Sequence, residues 1–214
     1  MKTLLQNIQY YSDKFKDVPR NKLDRLKYIF DKYKFKEKDI KTLQERLDIL
    51  NDFNMYEEFS FIIYLVPQPS PRPRMVKGKH CYVFGANDDR ILFERYLKTL
   101  GDKRPDLIVT PCELFLEYYL EIPKDMNKIE KVLAELGYLR PLITPDFDNV
   151  AKKYVDMTQK TLLLNDSLVV GSWIQKYYSE LPRIEIRLKY QKMFLTKYNK
   201  KKVESWSSYK EMKN

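Results

Sequence analysis

A chain of 214 residues is long enough for one domain with a full hydrophobic core, or for a moderate domain with a small appendage, and short for two full domains. Hydrophobic residues at 43%, charged residues at 33% and aromatics at 14% are the composition of a folding chain and exclude one that is wholly disordered. The 40 Lys+Arg against 30 Asp+Glu give a net charge of +10, which makes polyanions the natural partners, nucleic acid first among them, through counterion release and steering.

The opening MKTLLQNIQYYSDKF has only a two-leucine apolar step, too short for a signal-peptide core, and no apolar run long enough to span a bilayer occurs. These features predict a soluble, cytoplasmic chain with no membrane partner. Residues 1–56 contain no glycine and are rich in Lys, Asp and Leu, which predicts a helical extension with helices near 20–33 and 38–51. In the second helix Ile40, Leu43, Leu47 and Leu50 make one narrow apolar stripe. Such a hairpin suits packing on the main domain or on a second subunit, or a DNA-contacting arm.

From Phe59 the run FSFIIYLVP has strand character and closes at Pro67 in the loop PQPSPRPRMVKGKH. Prolines stiffen that loop while Arg72, Arg74, Lys77 and Lys79 offer cations to phosphates at a reduced entropy cost, although a solvated surface loop has the same composition. His80 is the single histidine, and Cys81 and Cys112 are the only cysteines, so neither a zinc ribbon nor a disulfide framework is supported.

Residues 87–100 predict an amphipathic helix capped by Asn87 or Asp88, stopped by Gly101, and burying Ile91, Leu92, Tyr96 and Leu100. In ELFLEYYLEI, Leu114, Leu116, Tyr118, Leu120 and Ile122 alternate with acidic and aromatic residues, which is a strand with one apolar face. A short helix over about 124–137 ends at Gly137, and another over roughly 149–160 follows Pro145. SLVVGSWIQKYYS and RIEIRLKY then form an expected hairpin around Glu180–Pro182, with Ile184, Ile186 and Leu188 inward. The Lys/Ser/Asn-rich end is expected to be frayed, or helical only on contact. The predicted class is α+β: a small mixed or antiparallel sheet with packed helices, not a doubly wound one. The expected organisation is an extension at 1–56, a main domain at 57–192 and a basic tail at 193–214.

The chemistry concentrates in TPDFDNVAKKYVDMTQKTLLLNDSLVV, residues 144–170. Asp146 and Asp148 stand at a proline-led helix entry, Lys152 lies four residues after Asp148, and Asp156 continues that row. Asn165–Asp166 precede an apolar strand that can return a carboxylate to the helix entrance. Each piece also has a plainer explanation, as helix cap, solvated salt bridge or tight turn. Together, three carboxylates and a lysine in a cationic chain suit a hard divalent ion beside a phosphodiester, because the ion reconciles the acids with the DNA that the remaining surface attracts.

The run P-D-F-D-N-V-A-K-K-Y-V-D resembles the P-D-x-D-N-x-x-K-x-x-x-D signature of RusA-type Holliday junction resolvases. Asn165–Asp166 ahead of Leu-Val-Val resembles that family's second acidic pair, FIIYLVPQPSPRPRM its opening strand and proline-arginine loop, and LPRIEIRLKY its closing strand. The resemblance spans about 59–190. It implies a metal-dependent endonuclease that acts as a homodimer and makes paired nicks in branched, four-way DNA. Asp146, Asp148 and Asp166 are then the metal-binding catalytic carboxylates and Lys152 the catalytic lysine, with Mg²⁺ as the ion and Mn²⁺ as a possible substitute. Departures are Pro145 where some members carry a basic residue, Gln159–Lys160–Thr161 in place of a glycine after the helix, and Asn165 in place of an acid. A non-catalytic protein for branched or single-stranded DNA, stacking bases on its many tyrosines, is the competing expectation.

Overall fold

The computed structural model describes residues 17–19, 21–70, 74–76, 79–81, 86–143 and 145–213, without the side chains of 74–76, 79–81 and 86–89. The chain divides into two compact units, Met1–Asp52 and Phe53–Asn214.

In the first unit, α1 (Lys22–Lys32) and α2 (Glu37–Asn51) match the helices expected from the apolar spacing. Asn21 Oδ1 caps α1 by accepting from the Leu23 N–H at 2.8 Å. Asp39 reaches back from the first turn of α2 to accept from the Lys36 N–H at 2.9 Å. Lys34 adopts a left-handed turn between them (φ 51°), over which Phe30 and Phe35 stack at 4.7 Å. Neither helix buries a residue.

The second unit is an α+β fold around a four-stranded mixed sheet. Its strands are β1 (Tyr56–Ile63), β4 (Cys112–Glu121), β5 (Val169–Ser179) and β6 (Arg183–Gln191); a short separate hairpin pairs β2 (Arg74–Val76) with β3 (Lys79–Cys81). The spatial order is β1-β6-β4-β5, antiparallel except that β4 runs parallel to β5. The expected β5–β6 hairpin therefore does not form, because β4 lies between those two strands. Alternation along β4 puts Leu114, Leu116, Tyr118 and Leu120 in the core, all at most 6% exposed, and a strand so thoroughly apolar on one face gains most from a central place. The Glu180–Pro182 link steps across its end. Glu135 fastens that corner, accepting from Ser179 Oγ at 3.0 Å and from the Glu180 N–H at 2.8 Å.

The core face meets α3 (Ala86–Thr99), α4 (Lys128–Glu135) and α5 (Phe147–Thr158). On α3 the buried stripe is Phe93 and Leu97, with Tyr96 and Leu100 half-buried, whereas Ile91 and Leu92 are 45% and 52% exposed. The expected face was thus rotated: residues 93, 96, 97 and 100 follow 3-4 spacing and bring a phenylalanine inward, which buries more apolar area than a stripe centred on 91 and 92. Ile184, Ile186 and Leu188 of β6 lie inward as their alternation predicts.

The chain end is not frayed. It forms α6 (Lys197–Glu204) and α7 (Ser207–Lys213), with Thr196 Oγ1 accepting from the Asn199 N–H. Val203 is buried against Leu164 and Leu168, with Phe194, Trp206 and Tyr209 around it. Apolar residues spaced by three, 203, 206 and 209, make a stripe that the lysine-rich composition hides.

Candidate metal and nucleic-acid site

Helix α5 begins where Pro145 ends the preceding loop. Asp146 is its N-cap residue, extended at φ −62° and ψ 140°, with a side chain that does not cap the helix; Asp148 lies in the first turn. Both are exposed at the positive end of the helix dipole. Tyr118 comes up from β4, fully buried, and its Oη has no hydrogen-bond partner among the described residues. Burial pushes the Tyr118 hydroxyl up to about 12, and the carboxylates of Asp146 and Asp148 act in the same direction. Packing thus brings the two carboxylates within electrostatic range of a buried hydroxyl that has no hydrogen-bond partner among the described residues. Leaving such a hydroxyl buried costs about 1–3 kcal/mol, which favours a polar ligand or ordered water there.

Lys152 is exposed one turn beyond Asp148, and Asp156 one turn further. Burial raises the Asp156 pKa, Lys152 opposes the rise, and Asp166 adds to it, so these three groups also share one face. Asp166 opens a 3-10 turn, Asp166–Leu168, that packs on α5. Asn165 caps the turn by accepting from the Ser167 N–H at 2.9 Å. The residues flanking it, Leu164 and Leu168, are anchored by α6 and α7, so the chain end braces the loop that carries Asp166.

A raised carboxyl pKa in the folded state means that folding is favoured by the protonated form, and that this contribution is lost as pH rises through the folded value. Asp156→Asn is therefore expected to raise the melting temperature at pH 7, with the gain shrinking to nothing below the ordinary aspartate range. Thermal melts of parent and variant from pH 3 to pH 8 check this; a gain that persists in acid contradicts it.

The proline-rich segment reaches the same helix, since the Ser70 N–H donates to the Asn149 carbonyl at 3.2 Å. A groove of about 600 Å³ is lined by Val66–Pro69, Leu120–Lys124, Ile143 and Pro145, the residue before Asp146. The loop before it is clasped to β5: Arg140 donates to the Lys176 carbonyl at 3.2 Å and lies 3.6 Å over the Tyr177 ring, while Lys176 Nζ donates to the Ile143 carbonyl at 3.0 Å. Arg72 and Lys77 lie outside the described residues; Arg74 and Lys79 are placed by backbone in β2 and β3, and their side chains lie outside the description.

Among the described residues no three of His, Cys, Asp and Glu close around a common point. Asp146 and Asp148 stand instead at the N-terminal end of α5, while Asp156, near its other end, is acted on by Asp166 from the adjoining 3-10 turn. By type they fit a hard divalent ion of the kind that keeps several waters and binds through one or two carboxylates plus substrate phosphate. Sequence spacing led to the candidate aspartates and Lys152; it gave no sign of Tyr118 near them, because a tyrosine at a core position of an alternating strand carries no chemical signal.

A family model for Endodeoxyribonuclease RusA matches residues 65–189. A relative in Bacillus subtilis (strain 168), "Uncharacterized protein YqaN", is 35% identical over 134 residues, which cover 60% of this chain and 94% of the relative. The matched region holds β4, β5, nearly all of β6, α5 and the whole acidic constellation, and on that evidence the chain belongs to the RusA family of endodeoxyribonucleases, the Holliday junction resolvases.

Proposed function

We propose that this protein is a Mg²⁺-dependent endodeoxyribonuclease that resolves four-way and other branched DNA by paired nicks, with residues 57–192 as its nuclease domain. The observation that carries this reading is the exposure of Asp148, Lys152 and Asp156 in one i,i+4 row of α5, with Asp146 at its N-cap and Asp166 in the 3-10 turn packed on the same helix. Asp146, Asp148 and Asp166 would hold the ion. When bound, it supplies a water of lowered pKa and a charge that offsets the phosphoryl group. The Lys152 ammonium lies where negative charge grows on a phosphodiester oxygen during attack. The water oxygen bonds to phosphorus as the P–O3′ bond breaks, leaving 5′-phosphate and 3′-hydroxyl ends. Tyr118 stays protonated at every working pH and can donate to a water or oxygen at Asp146 and Asp148.

Arg72, Arg74, Lys77 and Lys79 are assigned to backbone phosphates, which report the shape of a branch point without reading sequence. Paired cuts need two sites, and a homodimer supplies them. The sheet face away from the core supports a second copy: Trp173 is 58% and Ile62 36% exposed, and Arg187 lies 3.8 Å over the Phe115 ring. Glu58, Glu117 and Glu185 accompany Arg183 and Arg187 on that face, so its charges are mixed in an otherwise cationic chain. A mixed, self-complementary face suits a twofold contact better than a DNA strand.

The test is incubation with a synthetic four-way junction in Mg²⁺ and in EDTA, with sedimentation of the free protein. Symmetrically paired nicks in Mg²⁺ alone, from a particle of twice 25.9 kDa, are expected. Junction binding without metal-dependent nicks would instead identify a non-catalytic DNA-binding protein.

A further inference from the structure

A second cationic surface lies away from the proline-arginine loop. A groove of about 410 Å³ is walled by Arg90, Glu94, Lys98, Arg104 and Lys160 and floored by Leu97 and Leu107. Arg90 is committed to Glu94 at 3.0 Å. Lys98, Arg104 and Lys160 are exposed, and none has a carboxylate within 4.0 Å among the described residues. Three cations from three segments, on α3, in the loop after it and just past α5, thus face one channel without internal neutralisation.

Lys160 carries a second signal. Its backbone is left-handed, φ 64°, a conformation that costs any residue with a Cβ and that glycine adopts freely. The turn is tight: the Lys160 N–H donates to the Leu163 carbonyl at 2.7 Å, and the Leu162 N–H to the Thr158 carbonyl at 2.8 Å. A lysine held where glycine would be easier is a local cost that its own side chain does not recover within the fold. Strain of this kind points to a use for the side chain.

We propose that Lys98, Arg104 and Lys160 form a phosphate track that grips a DNA arm at a distance from the cutting site. The proposal rests on the reading of this protein as a DNA-cutting enzyme, and names how it holds the arm. Thr158, the last residue of α5, stands roughly 15 Å beyond Asp148 at 1.5 Å per residue, with Lys160 two residues further along the chain, a span of about four to five base pairs at 3.4 Å each. That is too far to touch the scissile phosphate and near enough to lie on the same arm. The track reads no bases. It sets the direction in which the arm leaves the site, by charge alone.

The experiment measures binding of the full chain to a four-way junction and to plain duplex over a range of salt without divalent ion, beside thermal melts. Lys160→Gly is the informative variant, because it removes the cation and relieves the backbone together. The expected result is a melting temperature equal to or above the parent's, junction affinity lowered roughly threefold to tenfold, and a salt slope reduced by about 0.9, one phosphate contact. Lys160→Arg restores the slope. Combining Lys98→Ala, Arg104→Ala and Lys160→Gly lowers the slope by about 2 to 3. A salt slope identical to the parent's overturns the track while leaving the nuclease reading intact, as does a Lys160→Gly protein that melts lower, since the turn would then need its lysine for structure. Slope changes in the variants, with no nicks by the parent in a parallel reaction containing Mg²⁺, remove the nuclease reading and keep the track as a grip on DNA. Parent protein that binds no DNA overturns both.

Discussion

Asp148→Asn is expected to lower junction cutting by at least about a thousandfold while leaving junction affinity equal or up to about fivefold better. The substitution keeps the size of the side chain and the helix that carries it, so folding is not at issue; Asp148 is exposed in the first turn of α5. On the proposed reading, what is lost is a charged oxygen donor for the metal, and with it the activation of water and the offset of charge in the transition state, effects worth several kcal/mol. What is gained is relief of repulsion between a carboxylate and the incoming phosphates, about 1 kcal/mol at 4 Å in water. Cutting and binding thus move in opposite directions. Single-turnover cleavage and a gel-shift titration measure the two effects separately; equal cutting by variant and parent takes Asp148 out of the site.

Lys152→Ala is expected to slow the chemical step by about 10²–10³-fold, the loss found when one charged or hydrogen-bonding stabiliser is removed from a developing oxyanion. The effect should fall on kcat with KM nearly unchanged, because the interaction strengthens only in the transition state. Stability should move by no more than about 0.5 kcal/mol, since Lys152 is exposed and its ionic neighbour Asp156 lies on the same helix surface. A variant that unfolds near room temperature, or one that cuts at the parent's rate, would reduce Lys152 to a surface ion-pair partner. Lys153 is the natural control. Adjacent in sequence, it is 7% exposed on the other side of the helix, so its truncation should disturb packing more than the chemical step.

The two lysines show how the site is built. Helical periodicity turns Lys152 outward with Asp148 and Asp156 and sends Lys153 inward beside Val150, Tyr154 and Met157. The same helix therefore closes the core and displays the chemistry, and the buried stripe holds the exposed row in position. Asp166 is held by different means, a capped 3-10 turn whose flanking leucines are packed by the chain's last helices. Loss of those helices would loosen one carboxylate without touching the others.

Patterns that depend only on the local period of the backbone were legible from the residues alone: the alternating face of β4, the inward residues of β6, both helices of the first unit, and the ordered row from Asp146 to Asp156. They were legible because a helix or strand repeats at 3.6 or 2 residues whatever surrounds it. Tertiary structure decided what no local period encodes. It inserted β4 between β5 and β6, because a strand's place in a sheet is set by how much apolar area each order buries. It rotated α3 to bury Phe93, and it folded a lysine-rich end into two helices around Val203. It also set a core tyrosine of β4 beneath Asp146 and Asp148 and brought Asp166 round to Asp156. Charges far apart along a chain interact only after packing has fixed their distance, so the sequence names the groups of the site and the fold determines which of them act on one another.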